Sequence, residues 1–180
     1  KKKTLRDEEK IGLALSIMVE KCSSLRSLSL RKGVPEETLV AFLSSFSTQN
    51  PLVELDLSHN DASDRLGAAV ATLLLHNRSL LSLNIDHNRF TIATYQLINA
   101  ALTSGAQPNP ILQRFPIPWF NHDKLSSTLR NDKQQRTYLR QLLEKIQLAT
   151  AMNMARAQFK FQSRLEVLKK IENNIVSSLD

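Results

Sequence analysis

The chain has 180 residues, of which 24 are Lys or Arg and 17 are Asp or Glu, so its net charge is +7. Apolar residues make up 42%, enough for a core, and only 4 Gly and 6 Pro argue against a disordered chain. One Cys excludes an internal disulfide framework, and no apolar run approaches the roughly 18 residues of a membrane span. The sequence shows no signal peptide, which favours a cytoplasmic protein, and it begins with Lys rather than Met, which suggests a piece of a longer chain.

Internal repetition is the first organising feature along the chain. A Leu-x-x-Leu-x-Leu pattern begins at Leu25, returns at Leu52 and Leu80, and has a variant that begins at Leu112. This pattern resembles the leucine-rich repeat in its ribonuclease-inhibitor-like class, in which every unit carries a strand and a helix. The resemblance implies an α/β solenoid with a parallel sheet on its concave face, because a single unit cannot bury its apolar side alone.

The segments between the predicted strands have the apolar spacing of helices. Helices are expected over about 7–20 and after Pro35, Ser63 and Thr91, each of which precedes an apolar i, i+1, i+4 set. No strand precedes the first helix, so further repeats are expected upstream of this chain. Cys22, between the first helix and the first strand, is expected to be buried and inert.

The fourth strand is predicted to be the last one. Pro116 and Pro118 lack N–H donors, and prolines are tolerated in a strand only at the edge of a sheet. The longer spacing before this strand is explained by a surface loop over 104–110. Three aromatic residues are expected to cover the open end of the core: Phe115, Trp119 and Phe120. The repeats are therefore predicted to occupy residues 1–120.

Residues 121–180 are predicted to form an α-helical extension, a possible dimerisation region. The stretch 132–179 has no Gly or Pro, and as one helix it would be about 70 Å long, although a break near 149–158 is an open alternative. An apolar stripe along it must be covered by the repeats, by its own other half or by a second chain in a coiled-coil homodimer. The candidate residues for this helical interface are Leu142, Ile146, Phe161, Leu165, Leu168, Ile171 and Ile175. The basic face of the helix is favoured as a solvated surface over one for anionic lipid, acidic protein or nucleic acid.

No motif for catalysis, a cofactor or a metal ion is found. The sequence has no phosphate loop, no Gly-x-Ser-x-Gly elbow and no His-Glu-x-x-His pair. His59-Asn60 and His87-Asn88 occupy the same place in two repeats, where the Asn amides are expected to satisfy backbone groups of a turn. We therefore predict no catalytic, cofactor-binding or metal-binding residue, no small-molecule substrate and no enzyme activity.

A polar strip is predicted on the concave face of the sheet, where solenoids often bind protein partners. The candidate interaction residues there are Arg31, Glu54, Asp56, Asn84, Asp86 and Arg114. A merely solvated face is the alternative interpretation. Binding of nucleic acid is not expected, because no set of stacking aromatic residues accompanies the basic ones.

The junction between repeats and helix resembles the end of the repeat domain of CARMIL proteins, the linkers of actin capping protein and myosin-I. Two motifs carry the resemblance: Phe115-Pro116-Ile117-Pro118 and Glu144-Lys145-Ile146-Gln147. It implies a non-enzymatic, cytoskeleton-associated scaffold that regulates actin filament assembly through capping protein, with a dimerising helical region. The capping-protein motif of that family is absent from this chain. A tropomodulin-like cap that binds actin directly, and a leucine-rich-repeat subunit of a larger assembly such as a ciliary complex, are the alternatives.

Overall fold

The fold alternates short strands with helices and ends in one long helix. The computed structural model describes residues 5–46, 51–104 and 108–176, with side chains described up to residue 170. The elements are, in chain order, α1 (Asp7–Lys21), β1 (Ser27–Ser29), α2 (Glu36–Ser44), β2 (Glu54–Asp56), α3 (Asp64–His76), β3 (Ser82–Asn84), α4 (Ile92–Thr103), α5 (Trp119–Thr128) and α6 (Lys133–Val176).

The three strands form one parallel sheet in the order β1-β2-β3. Their central residues Leu28, Leu55 and Leu83 are in register and point towards the helices, because alternate residues of a strand face opposite sides. The polar residues at the two ends of each strand face away from the core. Helices α1 to α4 pack side by side behind this sheet, and α6 packs against α4. The sheet therefore presents one row of polar residues to the outside.

The start of one helix is tied to the start of the next by an acidic residue. Ser63 and Thr91 cap α3 and α4, and each side-chain oxygen accepts a hydrogen bond from the backbone N–H two residues later. Glu36 Oε1 accepts hydrogen bonds from Ser63 N at 2.9 Å and Ser63 Oγ at 2.8 Å. Asp64 Oδ1 accepts one from Thr91 N at 2.8 Å. The carboxylates of Glu36 and Asp64 thus fix the position of each helix start relative to the start of the next helix.

A column of buried asparagines runs along one edge of the sheet. Asn60 Nδ2 donates to the Leu57 carbonyl at 2.9 Å, and Asn88 Nδ2 donates to the same carbonyl at 3.1 Å. The backbone N–H of Asn60 donates to Asn88 Oδ1 at 3.3 Å, and that of Asn88 donates to Asn121 Oδ1 at 2.9 Å. The predicted role of the first two asparagines is confirmed. The third member is Asn121. In the variant repeat that begins at Leu112, the spacing from Leu52 to Asn60 predicts Phe120 at this position, one residue too early.

A second column of buried asparagines runs along the opposite edge. Asn109 Nδ2 donates to the carbonyls of Leu74 at 2.7 Å and Asn77 at 3.2 Å. Asn153 Nδ2 in turn donates to the carbonyls of Asn109 at 2.9 Å and Leu112 at 3.0 Å. Because Asn153 lies in α6, the long helix satisfies backbone groups that the preceding units leave open.

The first half of α6 closes the open end of the core. Gln147 Nε2 donates to the Phe115 carbonyl at 2.6 Å, in the segment where the last strand was predicted. The residues of α6 that belong to the same core as the strands are Leu139, Leu142, Leu143 and Ile146. The predicted cover by three aromatic residues was wrong, since only Phe115 is buried while Trp119 and Phe120 are exposed. The long helix takes the place that these rings were expected to fill.

The predicted fold class, an α/β leucine-rich-repeat solenoid followed by a helical extension, was wrong. In the described residues the fold is mainly helical, with helices of 9 to 44 residues and a small parallel sheet of three strands with three residues each. The fourth strand is reduced to an isolated bridge between Ser82 and Arg114. Pro116 and Pro118 cannot donate to a sheet, and the packed first half of α6 takes over the closure that a longer strand would give.

Three smaller expectations can also be compared with the structure. Helix α6 is continuous over its 44 residues, so of the two alternatives left by the sequence the single rod is found. Cys22 is exposed, and the prediction that it is buried was wrong. Part of the predicted loop over 104–110 lies outside the described residues. Among the helices that the structure describes, none combines the length and apolarity needed to cross a membrane.

Candidate protein-interaction surface

The six polar residues predicted for the sheet face lie together, and we call them the strand strip: Arg31, Glu54, Asp56, Asn84, Asp86 and Arg114. Arg114 Nη2 lies 2.5 Å from Glu54 Oε1, and Arg114 Nε donates to Ser82 Oγ at 3.0 Å. Arg31 Nε lies 3.6 Å from Asp56 Oδ2. Such exposed ion pairs contribute about 0–1 kcal/mol each, so a partner can rearrange them at little cost.

Asp86 links the strand strip to the start of α5. Its Oδ1 accepts hydrogen bonds from His87 N at 2.7 Å and from Asn121 N at 3.2 Å, and its Oδ2 accepts one from Phe120 N at 3.4 Å. A carboxylate at this place satisfies free N–H groups of the first helical turn and complements the positive end of the helix dipole. Asp86 therefore fixes the position of the first turn of α5, which carries Trp119 and Phe120.

Three stacked rings stand beside the strand strip, and we call them the aromatic column: His59, His87 and Phe120. The ring centroids of His59 and His87 are 3.8 Å apart, and those of His87 and Phe120 are 4.2 Å apart. Both histidines have a left-handed backbone, with φ of 62° and 57°, so the same turn in successive units places the rings face to face. Desolvation lowers the pKa of His59, and the neighbouring His87, Arg31 and Lys32 lower it further against the opposite effect of Asp56.

An apolar cleft opens next to the aromatic column, between the start of α5 and the first half of α6. Its volume is about 430 Å³, and its lining residues are Ile117, Trp119, His122, Arg140, Leu143, Glu144 and Gln147. Trp119 is 63% exposed, and its ring meets His122 edge-on at a centroid distance of 6.3 Å. Arg140 Nε donates to Glu144 Oε1 at 2.8 Å along the opposite wall. An exposed Trp beside an apolar cleft is typical of a surface that takes up a partner side chain.

The residues predicted for the helical interface fall into three groups. Leu142 and Ile146 are buried within the chain's own core. Phe161 and Leu168 are exposed, and Leu165 is half-buried. The side chains of Ile171 and Ile175 lie outside the described part of the structure. Within that part, no group of three or more His, Cys, Asp or Glu side chains is placed to hold a metal ion.

Sequence comparison gives a relative but no family. No protein-family model matches the chain. Over 123 residues the chain is 30% identical to the Rho GTPase-activating protein gacW of Dictyostelium discoideum, a match that covers 66% of this chain. The chain spans only about 10% of the length of that relative. The activity named for gacW is that of a much larger protein.

Structure comparison shows which known domains share the fold. The actin-binding site 2 of leiomodin-1 matches with a TM-score of 0.58 and 16% identity, over 93% of this chain and 99% of that domain. The tropomodulin C-terminal domain of Caenorhabditis elegans matches with a TM-score of 0.50 and 12% identity, over 88% of this chain and 99% of that domain. At these identities the likeness shows the fold alone.

The resemblance to CARMIL proteins was wrong, because the shared fold is that of the tropomodulin and leiomodin domains. The motifs that suggested it have structural roles here. Pro116 and Pro118 lie where the sheet ends, and Ile146 is buried where α6 covers the core. Both motifs follow from closing a sheet with a helix, so they carry little information about a partner.

Proposed function

We propose that the chain is a non-enzymatic protein-interaction module that binds actin, in the manner of a tropomodulin-like cap. The observation that supports this proposal is the fold, which matches nearly the full length of a domain named as an actin-binding site. A cytoskeleton-associated location in the cytoplasm follows from the same proposal. The division of the chain at residue 120 stays a prediction.

The strand strip, the aromatic column and the cleft beside Trp119 form the surface that we propose for actin. Interfaces combine a few aromatic or Arg anchors with a polar rim, and anchors of this kind dominate the binding energy. Trp119 and Phe120 offer exposed rings. Arg114 offers a guanidinium whose ion pair with Glu54 is exposed to solvent. The acidic residues of the strip would supply the rim. The other interpretation, a solvated face, makes no use of the exposed Trp.

The test compares two exposed apolar residues on different faces. Trp119→Ala removes the proposed anchor, and Leu97→Ala removes an exposed side chain of α4 on another face. We expect the wild-type protein to slow elongation at pointed ends of actin filaments whose barbed ends are blocked. Trp119→Ala should weaken this effect about tenfold, as expected for the loss of an interface anchor, while Leu97→Ala should leave it unchanged.

A second substitution tests the polar part of the surface. Arg114→Glu reverses the charge of a strip residue whose ion pair contributes little to stability, so the fold should be retained. We expect weaker binding to fluorescent actin and an unchanged circular dichroism spectrum. The proposal would be wrong if the wild-type chain binds neither monomeric nor filamentous actin, or if Leu97→Ala weakens binding as much as Trp119→Ala does.

A further inference from the structure

The second half of α6 leaves the body of the fold. Beyond Asn153 the described side chains are exposed up to residue 170, apart from the half-buried Ala157 and Leu165. Residues 154–170 are therefore a helical stretch about 25 Å long whose side chains the described residues leave largely uncovered. Helices owe most of their stability to the packing of an apolar face, so a helix of this length is expected to be covered by something.

An apolar stripe runs along this projecting helix. Its members are spaced by four, four and three residues, which is helical spacing: Ala157, Phe161, Leu165 and Leu168. Phe161 and Leu168 are 61% and 59% exposed. The stripe continues the face that is buried in the first half of α6, since Ala157 follows Asn153 by four residues. Phe159 and Val167 are exposed outside this stripe. The stripe itself has the spacing of the seam of a helix pair.

A basic row runs along one edge of the stripe. Arg156, Lys160 and Arg164 each precede a stripe member by one residue, so they lie side by side on the same flank. Among the ion pairs of the described residues, none involves these three. Between residues 154 and 170 there are five basic residues and one acidic residue. A partner that covers the stripe must therefore meet an uncompensated positive edge.

This charge pattern discriminates between possible occupants. In an antiparallel pair of two copies, equivalent flanks face each other, and the basic row would lie against itself. In a parallel pair the row would face the other flank of the second copy, which carries Gln158, Gln162, Glu166 and Lys169. The antiparallel arrangement supplies no carboxylate and the parallel one supplies only Glu166 for three cations, so both leave like or unpaired charges at the seam. The pattern thus disfavours the homodimer that the sequence had suggested.

We propose that the stripe and the basic row bind an amphipathic helix of another protein, one with an apolar stripe and an acidic edge. The apolar stripe supplies the nonpolar surface that is buried on binding. The basic row selects partners that carry Glu or Asp beside their own apolar stripe. The first half of α6 is packed into the core, so the projecting half is held in one direction. This docking site is separate from the surface proposed for actin, and neither proposal depends on the other.

The test uses two designed helical peptides with Leu at the seam positions, one with Glu and one with Lys at the flanking positions. Binding of the labelled peptides to the full chain is measured by fluorescence anisotropy. We expect the Glu peptide to bind about tenfold more tightly than the Lys peptide, because only the Glu peptide pairs with the row. Leu168→Asp should abolish binding of both peptides.

Reversing the row supplies the decisive comparison. The variant Arg156→Glu, Lys160→Glu, Arg164→Glu should invert the preference, so that the Lys peptide binds more tightly. The matched control reverses three exposed basic residues in the first half of the same helix: Lys133, Arg136 and Lys145. The control has the same net charge as the row variant and should keep the wild-type preference. Since all six residues are exposed, both variants should keep the helical circular dichroism of the wild type.

Three results would overturn the proposal. The first is an unchanged preference in the row variant, which would show that the Glu peptide binds elsewhere. The second is a dimer of the wild-type chain, detected by light scattering and lost in Leu168→Asp, because the stripe would then be covered by a second copy. The third is sedimentation with phosphatidylserine vesicles that is lost in the row variant while neither peptide binds.

Discussion

Replacing Ile146 by Ala measures how far the first half of α6 belongs to the core. Ile146 is 0% exposed and is one of four α6 residues in the same cluster as the strand leucines. Truncating a buried Ile to Ala removes its burial and leaves a cavity, at a cost of 2–5 kcal/mol in typical cores, and we expect about 3 kcal/mol here. For a chain of this size that corresponds to a fall in Tm of about 10 °C.

The matched control lies two residues further along the same helix. Leu148 is 62% exposed, so Leu148→Ala should change the free energy of unfolding by no more than about 0.5 kcal/mol. Urea unfolding followed by circular dichroism gives both values. If Ile146→Ala and Leu148→Ala have equal effects, α6 is an appendage to the fold, and the closure of the core by this helix is refuted.

Three further predictions concern the contacts between units. Burial alone would raise the pKa of Asp64, but hydrogen bonds from Thr91 and Thr94 lower it below its usual value. Asp64→Ala should therefore cost about 2 kcal/mol in urea unfolding at pH 7, because its hydrogen bonds are lost. The part of this difference that comes from the lowered pKa should be present above about pH 4 and be lost as the pH falls through that pKa. Gly67→Ala should destabilise the fold by about 1–3 kcal/mol, although Ala favours helices, because a new Cβ would clash with Thr94 Oγ1 and lie 2.7 Å from Thr94 Cγ2. Thr94→Ala removes both of these atoms, so in that background a double-mutant cycle should show a smaller cost. NMR titration should give His59 a pKa below 6.5, since desolvation and nearby cations disfavour its charged form; stability should then decline as the pH falls through the usual His pKa, and His59→Gln should reduce that decline.

The strands and the helix starts could be predicted from the sequence, because a short residue pattern specifies each of them. Leucine spacing located the three strands, and the helix starts at Ser63 and Thr91 followed from their capping side chains. The end of the fold could not be predicted in this way. Aromatic residues in a sequence usually indicate a buried core, so Trp119 and Phe120 were expected to cover the end of the sheet. In the structure Ile146 and its neighbours in α6 fill that space. Packing between segments that are distant in sequence decides which apolar segment covers the open edge of the sheet. The spacing of apolar residues along the chain gives no information about that packing.

The candidate site was predictable to a similar extent. The strand strip followed from the alternation of side chains in a strand, because residues that flank a buried Leu must face outward. The aromatic column was missed, although its two histidines had been noticed at equivalent positions. Their stacking depends on the left-handed backbone at His59 and His87. The third ring was missed because Phe120 had been aligned with the asparagines, a role that belongs to Asn121.

The two asparagine columns explain where the packed part of the fold ends and the projecting helix begins. One column stops at Asn121 and the other at Asn153, and each last member accepts from or donates to the backbone of the unit before it. Beyond Asn153 the described side chains of α6 satisfy no backbone group of the body, and from there on its apolar face is open. The basic row starts three residues later, at Arg156. Since the helix is continuous through this point, the buried contacts before it set the direction in which the stripe and the row are presented to a partner.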